Sequence, residues 1–168
     1  IGGSLLATFC QGVVLGGYIG GMRVEGGRYV GDGLDWLTPF AMFTGVGLIA
    51  TYALLGATWL IIKAEGELQA RAMRWTHGAL WLTIAGVAAI SLATPYASSD
   101  VFDRWFAWPN IVVLAPLPIA TTAAFVGIWL TVNRLQQRQT LREWPPFVLA
   151  VWVFVFAFAG LAYSMFPY

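Results

Sequence analysis

Long apolar runs and short polar connectors alternate along this chain. Continuous apolar stretches cover about residues 1–22, 37–62, 78–94, 111–132 and 147–166. Between them lie Arg23–Trp36, Lys63–His77, Pro95–Asn110 and Asn133–Pro146, and every Lys, Arg, Asp and Glu falls in one of these connectors. A bilayer core takes roughly 20 apolar residues per helix, so the runs predict about five membrane-spanning helices. The runs are unbroken rather than alternating, which argues for helices and against a barrel. The expected fold class is all-α: a polytopic transmembrane helix bundle, with residues 1–168 forming a single transmembrane domain. The chain is already apolar at Ile1 and stops at Phe166-Pro167-Tyr168, where a run ends. That pattern is expected of a fragment of a longer membrane subunit.

Composition then removes whole function classes. Apolar residues make up 59% of the chain and charged ones 10%, against roughly 25% charged in an average soluble domain. Too few charges remain to cover a water-facing surface, which excludes a soluble enzyme and a disordered tail. A nucleic-acid module would need a basic stripe, and nine Lys+Arg against eight Asp+Glu provide no strong net charge.

Placement of those charges predicts an orientation. The second and fourth connectors hold Lys63, Arg71, Arg74, Arg134, Arg138 and Arg142, whereas the first and third hold Arg23, Arg28 and Arg104. Basic residues favour the cytoplasmic side. Connectors 63–77 and 133–146 are therefore expected inside, and 23–36 and 95–110 outside, with Glu25, Asp32, Asp35, Asp100 and Asp103. Trp59, Trp75, Trp129 and Trp144 mark the inner headgroup belt; Trp36, Tyr96, Trp105 and Trp108 mark the outer one.

Small residues mark expected packing faces. Gly12, Gly16 and Gly20 recur every fourth position, with Gly17 and Gly21 alongside. Such rows let helix backbones approach where lipid supplies no hydrophobic push between helices. Ala85, Ala89 and Ala93 repeat the device, as do Ala120 and Ala124. A seam within the subunit or one between subunits would each use it. Pro116 and Pro118 are expected to kink or break the fourth span by removing backbone donors.

Candidate chemistry is sparse. His77 is the sole histidine, at a predicted cytoplasmic edge, so a bis-His haem within the chain is excluded. Cys10 is expected to be a buried, inert thiol. Met22, Met42, Met73 and Met165 show no spacing relation to His77 and count as packing residues. No nucleophilic triad, metal-ligand spacing or phosphate-cradling loop emerges, and Gly26-Gly27 and Gly31-x-Gly33 look like turn residues. The spans contain neutral polar groups only, including Gln11, Thr44, Thr51, Thr58, Thr83, Thr121 and Thr122. Thr44, Thr51 and Thr58 recur every seventh residue and share a helix face, either bonding to a preceding carbonyl or reaching a neighbouring helix. A water file carrying protons along that face is the sharper alternative.

One stretch is more specific. It runs Trp36-Leu37-Thr38-Pro39-Phe40, Gly45-Val46-Gly47-Leu48, Tyr52-Ala53-Leu54-Leu55-Gly56-Ala57-Thr58-Trp59-Leu60 and Lys63-Ala64-Glu65-Gly66-Glu67-Leu68. This resembles subunit II of the cytochrome bd family of quinol oxidases, in which a span opens with Pro-Phe, passes a Gly-Ala pair and exits through Lys/Arg-x-x-Gly-Glu-Leu. The wording from Thr51 to Leu60 is most similar to the cyanide-insensitive branch, and Met165-Phe166-Pro167-Tyr168 resembles the close of a later span. Physically, Pro39 suits a first turn, and Gly45, Gly47 and Gly56 are expected to admit a neighbouring helix.

The resemblance implies the haem-poor subunit of a bd-type complex in the bacterial cytoplasmic membrane that oxidises quinol and reduces dioxygen to water. Haem b and haem d would sit in subunit I, the expected partner. This chain would supply packing support and proton access, with no catalytic, cofactor-binding or metal residue of its own. Expected helix-packing or interface positions are Gly12, Gly16, Gly20, Gly45 and Gly56; the expected cytoplasmic turn is Lys63, Glu65, Gly66 and Glu67. A small transporter or permease is the alternative, weakened by the absence of ionisable groups at depth. A purely structural or assembly protein is the third.

Overall fold

Thr38 and Pro39 show how the apolar pattern becomes a helix with a defined start. The computed structural model describes residues 2–20, 24–25, 28–29, 34, 36–97, 115–138 and 142–165. Within it Pro39 opens helix α2 (Pro39–Lys63), where its missing N–H has no intrahelical partner to lose. The Thr38 hydroxyl accepts from the Ala41 N–H at 3.1 Å and satisfies one of the free donors of the first turn. At the far end the Ala64 N–H donates to the Leu60 carbonyl at 2.9 Å. The chain then reverses through Ala64 and Glu65 into α3 (Gly66–Ala97). Gly66 has φ +60°, a left-handed conformation that costs a side-chain-bearing residue roughly 1–2 kcal/mol.

The remaining helices are α1 (Gly2–Ile19), α4 (Pro116–Gln136) and α5 (Pro145–Met165). Between α1 and α2 a minimal antiparallel ladder pairs β1 (Val24–Glu25) with β2 (Arg28–Tyr29), Val24 opposite Tyr29 and Glu25 opposite Arg28. Gly26 and Gly27 lie between the paired residues in sequence. Helices α1 to α4 are long and apolar enough to cross a membrane, and α5 adds a shorter apolar stretch. The architecture is thus a polytopic helical bundle.

One element departs from the hydropathy expectation. Helix α3 starts at Gly66, so most of the Lys63–His77 connector is helical. Glu67, Leu68, Gln69, Ala70, Arg71 and Met73 are good helix formers, and polarity ends a membrane span without ending a helix. Pro116 and Pro118 stand in the first turn of α4, where N–H groups lack intrahelical acceptors in any case; whether they break the expected fourth span turns on residues 111–114. Residues 111–114, the start of the expected fourth span, lie outside the described residues, as does the expected outer connector at 98–110.

The core joins four of the helices. Leu54 and Ile61 of α2, Ala72 and Leu80 of α3, Ile128 and Val132 of α4, and Ala150 and Val153 of α5 form one buried cluster. Stacking of Tyr52 on Phe154 at 5.6 Å and the Trp59–Phe147 contact at 5.0 Å extend the α2–α5 seam. Helix α1 stands outside this cluster and packs chiefly on α2. Outward faces keep large apolar side chains, including Phe43, Trp81, Leu92 and Ile119. In lipid such a surface carries no hydrophobic penalty.

Candidate functional site

Among the described residues, side-chain chemistry concentrates at the end of the bundle where α2 and α4 finish and α3 and α5 begin. Gln69 ties three of these termini together. Its Nε2 donates to the Ile61 carbonyl at 2.9 Å and to Glu143 Oε1 at 2.7 Å. The bond to Ile61 satisfies a carbonyl in the last turn of α2, which has no helical donor of its own.

The fourth terminus joins through His77. Its Nδ1 lies 3.0 Å from the Met73 carbonyl and its Nε2 lies 3.0 Å from Asn133 Oδ1 on α4. A carbonyl only accepts, so Nδ1 carries a proton. The Asn133 amide, turned so that its NH₂ group faces Nε2, donates to that nitrogen. Both imidazole nitrogens are engaged, so the ring as placed offers no free nitrogen to a haem iron.

Around these bonds lie the charged residues of the second and fourth connectors. Lys63 places its ammonium 5.2 Å from the centre of the Trp59 ring. Glu65 and Glu67 are exposed, and Glu67 pairs with Arg71 at 3.7 Å, one helical turn away. Both partners are open to water, so the pair contributes little stability. Trp59, Trp75, Trp129 and Trp144 are all exposed near this end. Connectors two and four therefore share one end of the molecule.

The threonines are used locally. Thr44, Thr51 and Thr58 donate to the carbonyls of Phe40, Gly47 and Leu54 at 2.8–2.9 Å, each one turn back. Thr76, Thr83, Thr121, Thr122 and Thr131 do the same on α3 and α4. This is the carbonyl-bonding alternative. Each hydroxyl proton is held by its own helix, and the spacing of seven reflects a shared buried face. Among the described residues no buried side-chain polar atom lacks a partner.

Glycine positions divide sharply. A methyl group at Gly12 would lie 2.6 Å from Gly45 Cα, and one at Gly16 would lie 2.6 Å from Ala41 Cα. At Gly45 it would meet the Phe9 ring at 2.8 Å. At Gly12 and Gly16 these are backbone-to-backbone approaches between α1 and α2, and at Gly45 a ring of α1 fills the space. Gly17 backs onto the Trp36 carbonyl, 3.0 Å from such a methyl, and Gly47 faces the Ile90 side chain at 2.9 Å.

Gly20 and Gly56 behave otherwise. A methyl at Gly20 would make ordinary contacts with the carbonyls of Gly16 and Gly17, and one at Gly56 would meet nothing within 4 Å. Among the described residues no other helix of the chain packs against the Gly56 face of α2.

Cys10 also differs from expectation, being an exposed free thiol. The glycine stripe turns the other side of α1 toward α2, which leaves Cys10 uncovered by the described residues. Asn133, Gln69 and Glu143 were not singled out from the sequence. A usable signal existed for Asn133: alternating spans bring the end of the fourth run beside the start of the third, where the sole histidine lies.

Among the described residues no group of three or more His, Cys, Asp or Glu side chains is disposed to hold a metal ion. Among the described residues the scaffold is a membrane bundle with a polar end and a glycine-lined outer helix. The model of the family described as cytochrome bd terminal oxidase subunit II matches residues 1–168. The chain belongs to that family. No curated protein gives a significant match. Membership in the subunit II family associates the chain with an oxidoreductase complex, and its apolar helices make it a multi-pass membrane protein. The Pro39-Phe40 to Gly66-Glu67-Leu68 stretch that suggested the subunit II family occupies α2 and its turn into α3.

Proposed function

We propose that this chain is the haem-poor partner in a bd-type terminal oxidase of the bacterial cytoplasmic membrane, a complex that oxidises quinol and reduces dioxygen to water. The carrying observation is the subunit II family match along residues 1–168. In this reading subunit I, the partner, binds haem b, haem d and quinol, and this chain supplies packing support and contributes to proton access.

The side-chain chemistry supports that division of labour. A bis-His haem needs two imidazoles, whereas the one histidine here has both ring nitrogens engaged. The described residues therefore do not suit a haem with two histidine ligands, and no redox step is routed through them. Gly12, Gly16 and Gly45 are proposed as the seam that holds α1 on α2. Gly20 and Gly56 are proposed as positions where another subunit meets the chain. Lys63, Glu65, Gly66 and Glu67 form the proposed cytoplasmic turn.

Deleting the gene tests the reading directly. Membranes of the deletion strain are expected to lose d-type haem absorption and quinol-driven oxygen uptake, and re-expression restores both. An intact spectrum and intact oxygen uptake, with loss of transport of some solute, would overturn the proposal in favour of a transporter. For orientation, single cysteines at Gln136 and Gly26 are placed in a Cys10→Ser background. An impermeant thiol reagent added outside is expected to label only the second; the opposite pattern reverses the topology.

A further inference from the structure

The His77–Asn133 bond marks the middle of an amphipathic seam between α3 and α4. On α3, Arg74, His77 and Trp81 follow at spacings of three and four and share one helix face. On α4, Leu130 is followed by Asn133 and Arg134 at spacings of three and four. The helices run in opposite directions past the 3.0 Å bond. Trp81 and Leu130 therefore lie on its apolar side, while Arg74 and Arg134 lie toward the polar end. Trp81 is 62% exposed and Leu130 41% exposed. Arg74 and Arg134 are exposed as well.

Among the described residues no carboxylate pairs with Arg74 or Arg134; Glu67 pairs with Arg71, and Glu143 accepts from Gln69. Two guanidinium groups without a carboxylate partner among the described residues thus stand above a partly buried polar pair, with the Trp81 indole and Leu130 below. That order of cation, hydrogen-bonding groups and aromatic surface matches a phospholipid from phosphate to upper acyl chain. Guanidinium favours phosphate because its fork of N–H donors fits two oxygens at once. The net positive charge selects a headgroup whose phosphodiester charge is not cancelled by an ammonium. We infer that the α3–α4 seam is a binding site for an anionic phospholipid of the phosphatidylglycerol class. The inference rests on the membrane-embedded reading and not on which side the polar end faces.

Native mass spectrometry of the intact, purified oxidase complex tests it. Phosphatidylglycerol and phosphatidylcholine with identical acyl chains are titrated separately. The wild-type complex is expected to retain phosphatidylglycerol preferentially. Arg74→Gln and Arg134→Gln are each expected to weaken that retention about fivefold, whereas Arg71→Gln, which removes an arginine already paired with Glu67, leaves it unchanged. Arg74→Lys with Arg134→Lys keeps the charge and most of the retention, and covers the case in which the Gln variants fail to assemble. Millimolar inorganic phosphate is expected not to displace the lipid. Equal retention of the two lipids, indifference to the Gln substitutions or displacement by free phosphate would each overturn the inference. The d-type haem spectrum of the same samples reports separately on the oxidase reading.

Discussion

Two seams of this bundle are built by opposite means. Helix α1 meets α2 through glycine: Gly12 and Gly16 lie so close to Gly45 and Ala41 that an added methyl would stand 2.6 Å from a backbone carbon. Helix α3 meets α4 partly through side chains, with His77 and Asn133 bridging at 3.0 Å near the polar end. The first seam gains its contact from absent side chains, so any added atom meets backbone that has nowhere to go. The second is carried by rotatable groups, one of which can exchange donor for acceptor. Close backbone approach gives rigidity at the expense of tolerance. A side-chain bridge is weaker but adapts to a change of partner.

The largest test of this contrast lies at Gly16. Gly16→Val is expected to push α1 off α2 and to cost about 3 kcal/mol of stability, the upper part of the usual overpacking range. Thermal unfolding of the detergent-solubilised complex measures it, and an unchanged midpoint would show that the α1–α2 contact is looser than the geometry requires. A smaller effect is expected at the polar seam. There a double-mutant cycle with His77→Leu and Asn133→Leu should give a coupling of about 1 kcal/mol, in the range of interhelical hydrogen bonds in membranes. A coupling near zero would mean that each group finds another partner when the first is removed.

Thr58→Val sharpens the comparison further down the scale. The hydroxyl is fully buried, yet it serves only the Leu54 and Leu55 carbonyls of its own helix. Those carbonyls already accept helical bonds, so the expected loss is below about 1 kcal/mol. A larger loss in the same unfolding assay would assign Thr58 a role between helices. The smallest effect is expected at Gly56. Gly56→Ala adds a methyl to open space and replaces a poor helix former with the best one, so the stability of the chain itself should hold or rise slightly. If the complex fails to assemble while the chain stays folded, a partner subunit occupies that face.

Much of this was legible beforehand, though unevenly. The apolar runs, the shared end of connectors two and four, the Thr38-Pro39 start and the Gly66 turn follow from hydropathy, helix length and backbone sterics, all of them local. The Gly12–Gly16 row was visible as a pattern, but its partner on α2 was not. Gly56 looked like the same kind of residue because spacing and composition do not say which way a helix face points. At Cys10 an apolar neighbourhood in sequence became an uncovered surface in space.

Hydropathy and the position of charge were enough to set the solvent, the number of long helices and the end that carries the basic residues. These depend on the cost of placing a charge or an open backbone in lipid, which each segment meets on its own. The subunit II family, too, was readable from one span and its exit. Which glycines touch backbone, which hydroxyls stay within their helix, and the meeting of His77 with Asn133 came only with the folded bundle. Those depend on the rotation of each helix about its axis, set by all its neighbours together. Rotation decides whether the same residue type becomes a seam, as at Gly16, or an open face, as at Gly56.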